Sequence, residues 1–160
     1  MSRREGREIA MQILFQVEVG GIDPEEAFRR TSAETTWQET TMEFTRRLVF
    51  GTMAHLEEID KIISEISKGW RLDRIANVDK ILIRIALYEI FYEENIPLNV
   101  SANEAIELAK VFGGEESGKF VNGIIGKVVE NPNEYLACVV AEKTTGEDKA
   151  LVSETMEEII

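Results

Sequence analysis

Ser101 to Gly123 reads SANEAIELAKVFGGEESGKFVNG, and this stretch decides the fold class. Ser101 and Glu104 stand at the spacing of a helix capping box. Ala102, Ala105, Ile106, Ala109 and Phe112 recur at intervals of three and four, which predicts a helix over 102–112 with Asn103, Glu107 and Lys110 outward. Gly113-Gly114 breaks it. A second helix over 117–129 is predicted to bury Val121, Ile124, Ile125 and Val128. Helix, glycine break and helix leave no room for a strand.

The same periodicity runs outward in both directions. A helix is predicted from about Arg3 to Glu18 on the stripe Ile9, Ala10, Ile13, Leu14 and Val17, ended by Gly20-Gly21. Asp23-Pro24 starts another, with Asp as cap and Pro at the first helical position, and it dissolves into the polar stretch 31–36. One long helix is expected over 41–68, with Gly51 as a bend or a point of close approach. A turn follows over 70–77, then a helix over 78–93, stopped before Pro97. No period-two pattern and no internal repeat appears. The expected fold is all-α, about seven helices in two small packed bundles. Their boundaries are about 1–69 and 70–133, and an acidic tail covers 134–160.

Composition excludes several classes. The chain has 160 residues, 44% of them hydrophobic, enough for a core without staples. Cys138 is the only cysteine, so no internal disulfide forms, and a reducing cytoplasm is the expected location. MSRREGRE carries no apolar stretch before Ile9, and no run approaches the roughly 20 residues of a membrane span. No membrane partner is expected. His55 is the only histidine and lies on an apolar stripe, where a structural role is the simpler reading. The His/Cys spacings of metal sites, the nucleophile elbow and the phosphate-loop lysine are all missing. No catalytic residue, metal or cofactor is therefore expected.

Net charge is −12, which argues against a polycation that binds nucleic acid by bulk charge. Residues 130–160 hold eight acids against two bases, and the preceding 129 residues hold 22 against 16. RNA binding would need a local patch or a basic partner. Two candidates exist. Arg3, Arg4 and Arg7 open the first helix, and Gln12 and Phe15 follow down roughly that side, a set suited to phosphates, a base edge and a base plane. The same spacing also fits an exposed helix start with a core phenylalanine. Lys110, Phe112, Lys119, Phe120, Asn122 and Lys127 cluster around the glycine turn, where core phenylalanines with solvated lysines are an equal reading.

Three blocks resemble the NusB family of bacterial transcription antitermination factors: RREGREIAMQILF at 3–15, WRLDRIANVDKILIRIALYEI at 70–90 and NEAIELAKVFGGEESGKFVNGII at 103–125. The resemblance implies two packed helical bundles and no enzymatic activity. It also implies binding of the boxA element of ribosomal-RNA leader transcripts together with NusE, a small-subunit ribosomal protein, in a complex that makes RNA polymerase resist termination. Carried over by position, the RNA surface would hold Arg3, Arg4, Arg7 and Phe15, and Phe112, Glu116, Lys119 and Phe120 near the glycine turn. The partner-facing surface would use the helix over 78–93, with Asp79, Arg84 and Glu89. Two alternatives follow. The module also resembles the N-terminal domain of certain rRNA cytosine methyltransferases, which would require a further methyl-donor-binding domain. A protein–protein adaptor without RNA binding is the other. A homodimer that masks the RNA face would write the same apolar stripes as a monomer.

Overall fold

The computed structural model describes residues 2–68 and 71–140. Seven α-helices and no strand occur among the described residues: α1 Arg3–Gly20, α2 Pro24–Glu34, α3 Glu39–Ala54, α4 Leu56–Ile66, α5 Asn77–Tyr92, α6 Leu98–Glu130 and α7 Leu136–Val140. Two short 3-10 turns, Leu72–Arg74 and Pro132–Tyr135, precede α5 and α7. The expected junction at Gly69 and the part of the acidic tail beyond residue 140 lie outside the described residues.

The all-α expectation holds, and the caps show why the helices start where they do. The Ser2 hydroxyl accepts from the Glu5 N–H at the head of α1, and Asp23 accepts from the Glu26 N–H at the head of α2. Gly21, at φ 65°, closes α1 in the left-handed conformation. Helix α2 runs on to Glu34 instead of dissolving at Thr31. Its polar residues are the solvent face of a helix, braced by Glu26 accepting from Arg29 and Arg30 one turn on.

The single helix expected over 41–68 is two. The break falls at His55 (φ −112°, ψ 20°), which ends α3 and leads into α4. There the imidazole stacks on Tyr92, ring centroids 3.7 Å apart and planes 14° from parallel. Gly51 is a close approach and not the bend. A Cβ there would collide with the buried ring of Tyr88 on α5. Gly51→Ala is therefore expected to destabilise the fold by about 1–3 kcal/mol through overpacking, read as a lowered urea midpoint with an unchanged slope.

Helix α6 begins four residues early, at Leu98, with Pro97 (φ −60°, ψ 142°) at the cap position. Ser101 is thus inside the helix and buried, not a cap, and Glu104 is free of the capping box. The break falls at Gly114 as expected, with φ 84° and ψ −174°.

The core is continuous. α5 is its centre, buried from Asp79 to Glu89, with α1 and α3 on one side and α6 on another. α1, α2 and α3 pack together, while α4 packs against α5, α6 and α7, so the change-over between the two groups lies at the His55 break. Tyr135, Leu136 and Val139 are buried, so the chain remains packed beyond Asn133 as far as α7. No helix among the described residues is long and apolar enough to cross a membrane.

Candidate nucleic-acid interface

Ion pairs set the directions of the helices around α5. Arg7 of α1 meets Glu89 near the end of α5, and Glu18 of α1 meets Lys80 near its start, so α1 and α5 are antiparallel. Ser101 of α6 also meets Glu89, and Ser117 meets Asp79, so α6 is antiparallel to α5 too. α1 and the first part of α6 therefore run the same way across α5. Arg4 closes the seam between them, donating Nε–H and Nη2–H to the two carboxylate oxygens of Glu104 at 2.8 and 3.0 Å.

The seam brings Arg4 and Phe15 of the first candidate cluster and Phe112 of the second to one side. Phe15 lies eleven residues beyond Arg4, close to three whole helical turns, so it keeps Arg4's side of α1 about 16 Å further along. On α6, Phe112 lies eight residues beyond Glu104, about 12 Å along the same direction. Phe15 (38% exposed) and Phe112 (41%) are both open to solvent. Phe112 had been expected inward. Leu108 takes the inward position, and at Gly113 α6 stands against Asp79 in the first turn of α5, where little helix remains to cover a ring. Arg3, Gln12, Lys110, Glu116, Lys119 and Asn122 are exposed, and Phe120 is half-buried against the core. The Lys110 stem crosses Gly118, where a Cβ would meet its Cγ at 2.6 Å. Glu116 and Lys119 approach each other at 3.8 Å in full solvent.

Arg7 is corrected from surface to interior. It is 4% exposed, and its Nε–H and Nη2–H go to Glu89, itself 1% exposed, at 2.6–3.1 Å. The expected partner-facing set is corrected likewise. Asp79, Arg84 and Glu89 are all buried. Arg84 donates to both oxygens of Asp60 at 2.9 Å and to Glu18 at 3.3 Å, Asp79 accepts from Ser117, and Glu89 holds Arg7 and Ser101. These charges on α5 join helices to one another. Sequence periodicity could not reveal it, because a charged residue in an apolar helix looks like an exposed edge until its counter-charge is placed.

Two features of this face had no signal in the sequence. Val19 and Val111 are exposed beside Phe15 and Phe112 in the chain and enlarge the apolar part of the patch. Glu104 binds Arg4 and does not cap a helix. The hydrogen bond from Arg4 lowers the Glu104 carboxyl below its ordinary range, against a smaller opposing effect of burial. Glu18 is lowered in the same way, first by the hydrogen bond from Lys80. Among the described residues, no group of three or more His, Cys, Asp or Glu side chains could hold a metal ion.

The profile of the NusB family matches residues 4–130. The chain belongs to the NusB family. The transcription antitermination protein NusB of Pelotomaculum thermopropionicum is 56% identical over 135 residues, covering 84% of this chain and 94% of its own. The solved structure of T. maritima NusB superposes with a TM-score of 0.77 at 37% identity, covering 85% of this chain and 97% of its own. A crystal structure of the antitermination factors NusB and NusE in complex with dsRNA superposes at 0.73 with 25% identity, covering 81% of this chain and 98% of the matched chain. The NusB match thus takes in α1 from Arg4 onward through α6, with both clusters of the candidate face apart from Arg3.

Proposed function

We propose that this NusB-family chain is a non-catalytic, cytoplasmic transcription antitermination factor. It binds the boxA element of ribosomal-RNA leader transcripts together with the ribosomal protein NusE, within the RNA polymerase complex that resists termination. The observation that carries the RNA face is the Arg4–Glu104 contact, which sets the exposed start of α1 beside α6, with Phe15 and Phe112 further along the same side. Exposed arginines meet phosphates, and exposed aromatic rings offer planes on which unpaired bases stack. Relatives named as antitermination proteins, and a similar fold solved with NusE and RNA, support the same reading.

Charge shapes the mechanism. With a net charge of −12 and Arg7 interior, few cations are left to release counterions from RNA. The isolated chain therefore binds RNA weakly, and a basic ribosomal partner extends the positive surface. Fluorescence anisotropy on a boxA-like RNA, with and without the NusE-type partner, tests this. Binding is expected to tighten about tenfold with the partner, and its salt dependence to be shallow for the isolated chain and steeper with the partner. Equal affinity in both cases would rule out the cooperative mechanism. Partner binding without any RNA binding would make the chain an adaptor.

A further inference from the structure

Arg3 and Arg4 are neighbours on the first turn of α1, yet their guanidinium groups are in opposite situations. Arg3 lies over the Phe44 ring, 5.1 Å from its centroid, with no carboxylate bonded to it among the described residues. Arg4 is clamped by Glu104 in the fork geometry that is strongest for this pair of groups. The Arg4 side chain is 57% exposed and that of Glu104 19%, so the carboxylate sits behind the guanidinium, away from water. A phosphate reaching this point from solvent meets a neutral pair in place of a cation.

We propose that Glu104 is a built-in competitor for RNA phosphate at Arg4. In the free protein it holds the guanidinium, and it is displaced, or left sharing it, when the RNA backbone arrives. Glu104 thereby sets how tightly this face holds RNA. The inference rests on the RNA-binding reading above and adds to it an affinity-setting residue that does not itself touch RNA. Where cations are scarce, one guanidinium released or withheld changes a large share of the counterion release.

Glu107, one turn further along α6, supplies the comparison. It approaches Lys110 at 3.6 Å and acts on Arg4 only as a distant charge. Glu107→Gln thus changes net charge as Glu104→Gln does, without opening the clamp.

The experiment is a salt titration of anisotropy on a single-stranded boxA-like RNA. It uses the full chain, Glu104→Gln, Glu107→Gln, Arg4→Ala and the double variant Arg4→Ala/Glu104→Gln, each with and without the NusE-type partner. Glu104→Gln is expected to bind about threefold or more tightly and to steepen the log–log salt slope by about 0.7, one added phosphate contact on a single strand. Glu107→Gln should give less than half that gain, and the gain should vanish when Arg4 is also removed. Glu104→Gln binding no tighter than the parent would overturn the proposal. So would an equal gain in Glu107→Gln, or a gain that survives Arg4→Ala. If the parent binds RNA and Glu104→Gln changes nothing, the competitor role alone fails. If neither parent nor variants bind RNA even with the partner, the RNA reading fails and the proposal with it.

Discussion

Glu89→Ala is expected to lower the stability of the fold by about 3–5 kcal/mol, the cost of breaking a buried ion pair by removing one member. For a chain of this length that corresponds to a melting temperature lower by about 10 °C. Glu89 is 1% exposed and accepts two donors from Arg7 and one from the Ser101 hydroxyl, so one carboxylate joins α1, α5 and α6. Alanine would leave the Arg7 guanidinium buried without a counter-charge, and Arg7→Ala would strand the carboxylate equally. The two losses are not additive, because each single change already breaks the pair. An Arg7→Met/Glu89→Leu double variant replaces both charges by apolar groups and should recover much of the loss. Thermal and urea melts of the three variants beside the parent read this directly. A Glu89→Ala protein within 1 kcal/mol of the parent would mean that water reaches the pair.

Gly114→Ala is expected to cost about 1–3 kcal/mol by backbone strain alone. The φ of 84° with ψ of −174° lies in a region that only glycine occupies freely, and no atom lies within 4 Å of a Cβ built there, so crowding plays no part. Relief of the strain turns residues 115–130 relative to 98–113, which changes how Glu116 and Lys119 stand relative to Phe112. A loss of RNA affinity larger than the loss of stability explains is therefore expected as well. Gly123→Ala is the control. It has open space and helical backbone, so it should be neutral or stabilising by about 0.4–1 kcal/mol. If Gly114→Ala behaved like Gly123→Ala in urea melts, the break would not depend on the glycine conformation.

Much of this fold was legible because its signals are local. The stripes Ala10–Ile13–Leu14 and Val121–Ile124–Ile125–Val128 are buried as predicted, with Ile9 half-buried against the core, and Asp23 and Gly21 cap helices through contacts a few residues away. Failures came where a distant group decided the outcome. Ser101 and Glu104 look like a capping box in the chain, but Pro97 starts the helix, Glu89 takes the serine and Arg4 takes the glutamate. His55 breaks a helix that its own neighbours would continue, and there its ring stacks on Tyr92 of α5.

The candidate face divides in the same way. The three blocks at 3–15, 70–90 and 103–125 carried the resemblance to the family. The all-α class, the glycine break and the set of cations and aromatics available for RNA were legible in the residues alone, since composition and period need no third dimension. Only the tertiary structure decided which of them face water. It buried Arg7, Arg84 and Glu89 in ion pairs and Asp79 against the Ser117 hydroxyl, exposed Phe112, and set Glu104 against Arg4. The physical reason is that a charge's role depends on its counter-charge and its access to solvent. For these residues the counter-charge lies 24 to 100 positions away in the chain, or, for Asp79, the partner is a hydroxyl 38 positions away. Helix packing alone brings such groups together.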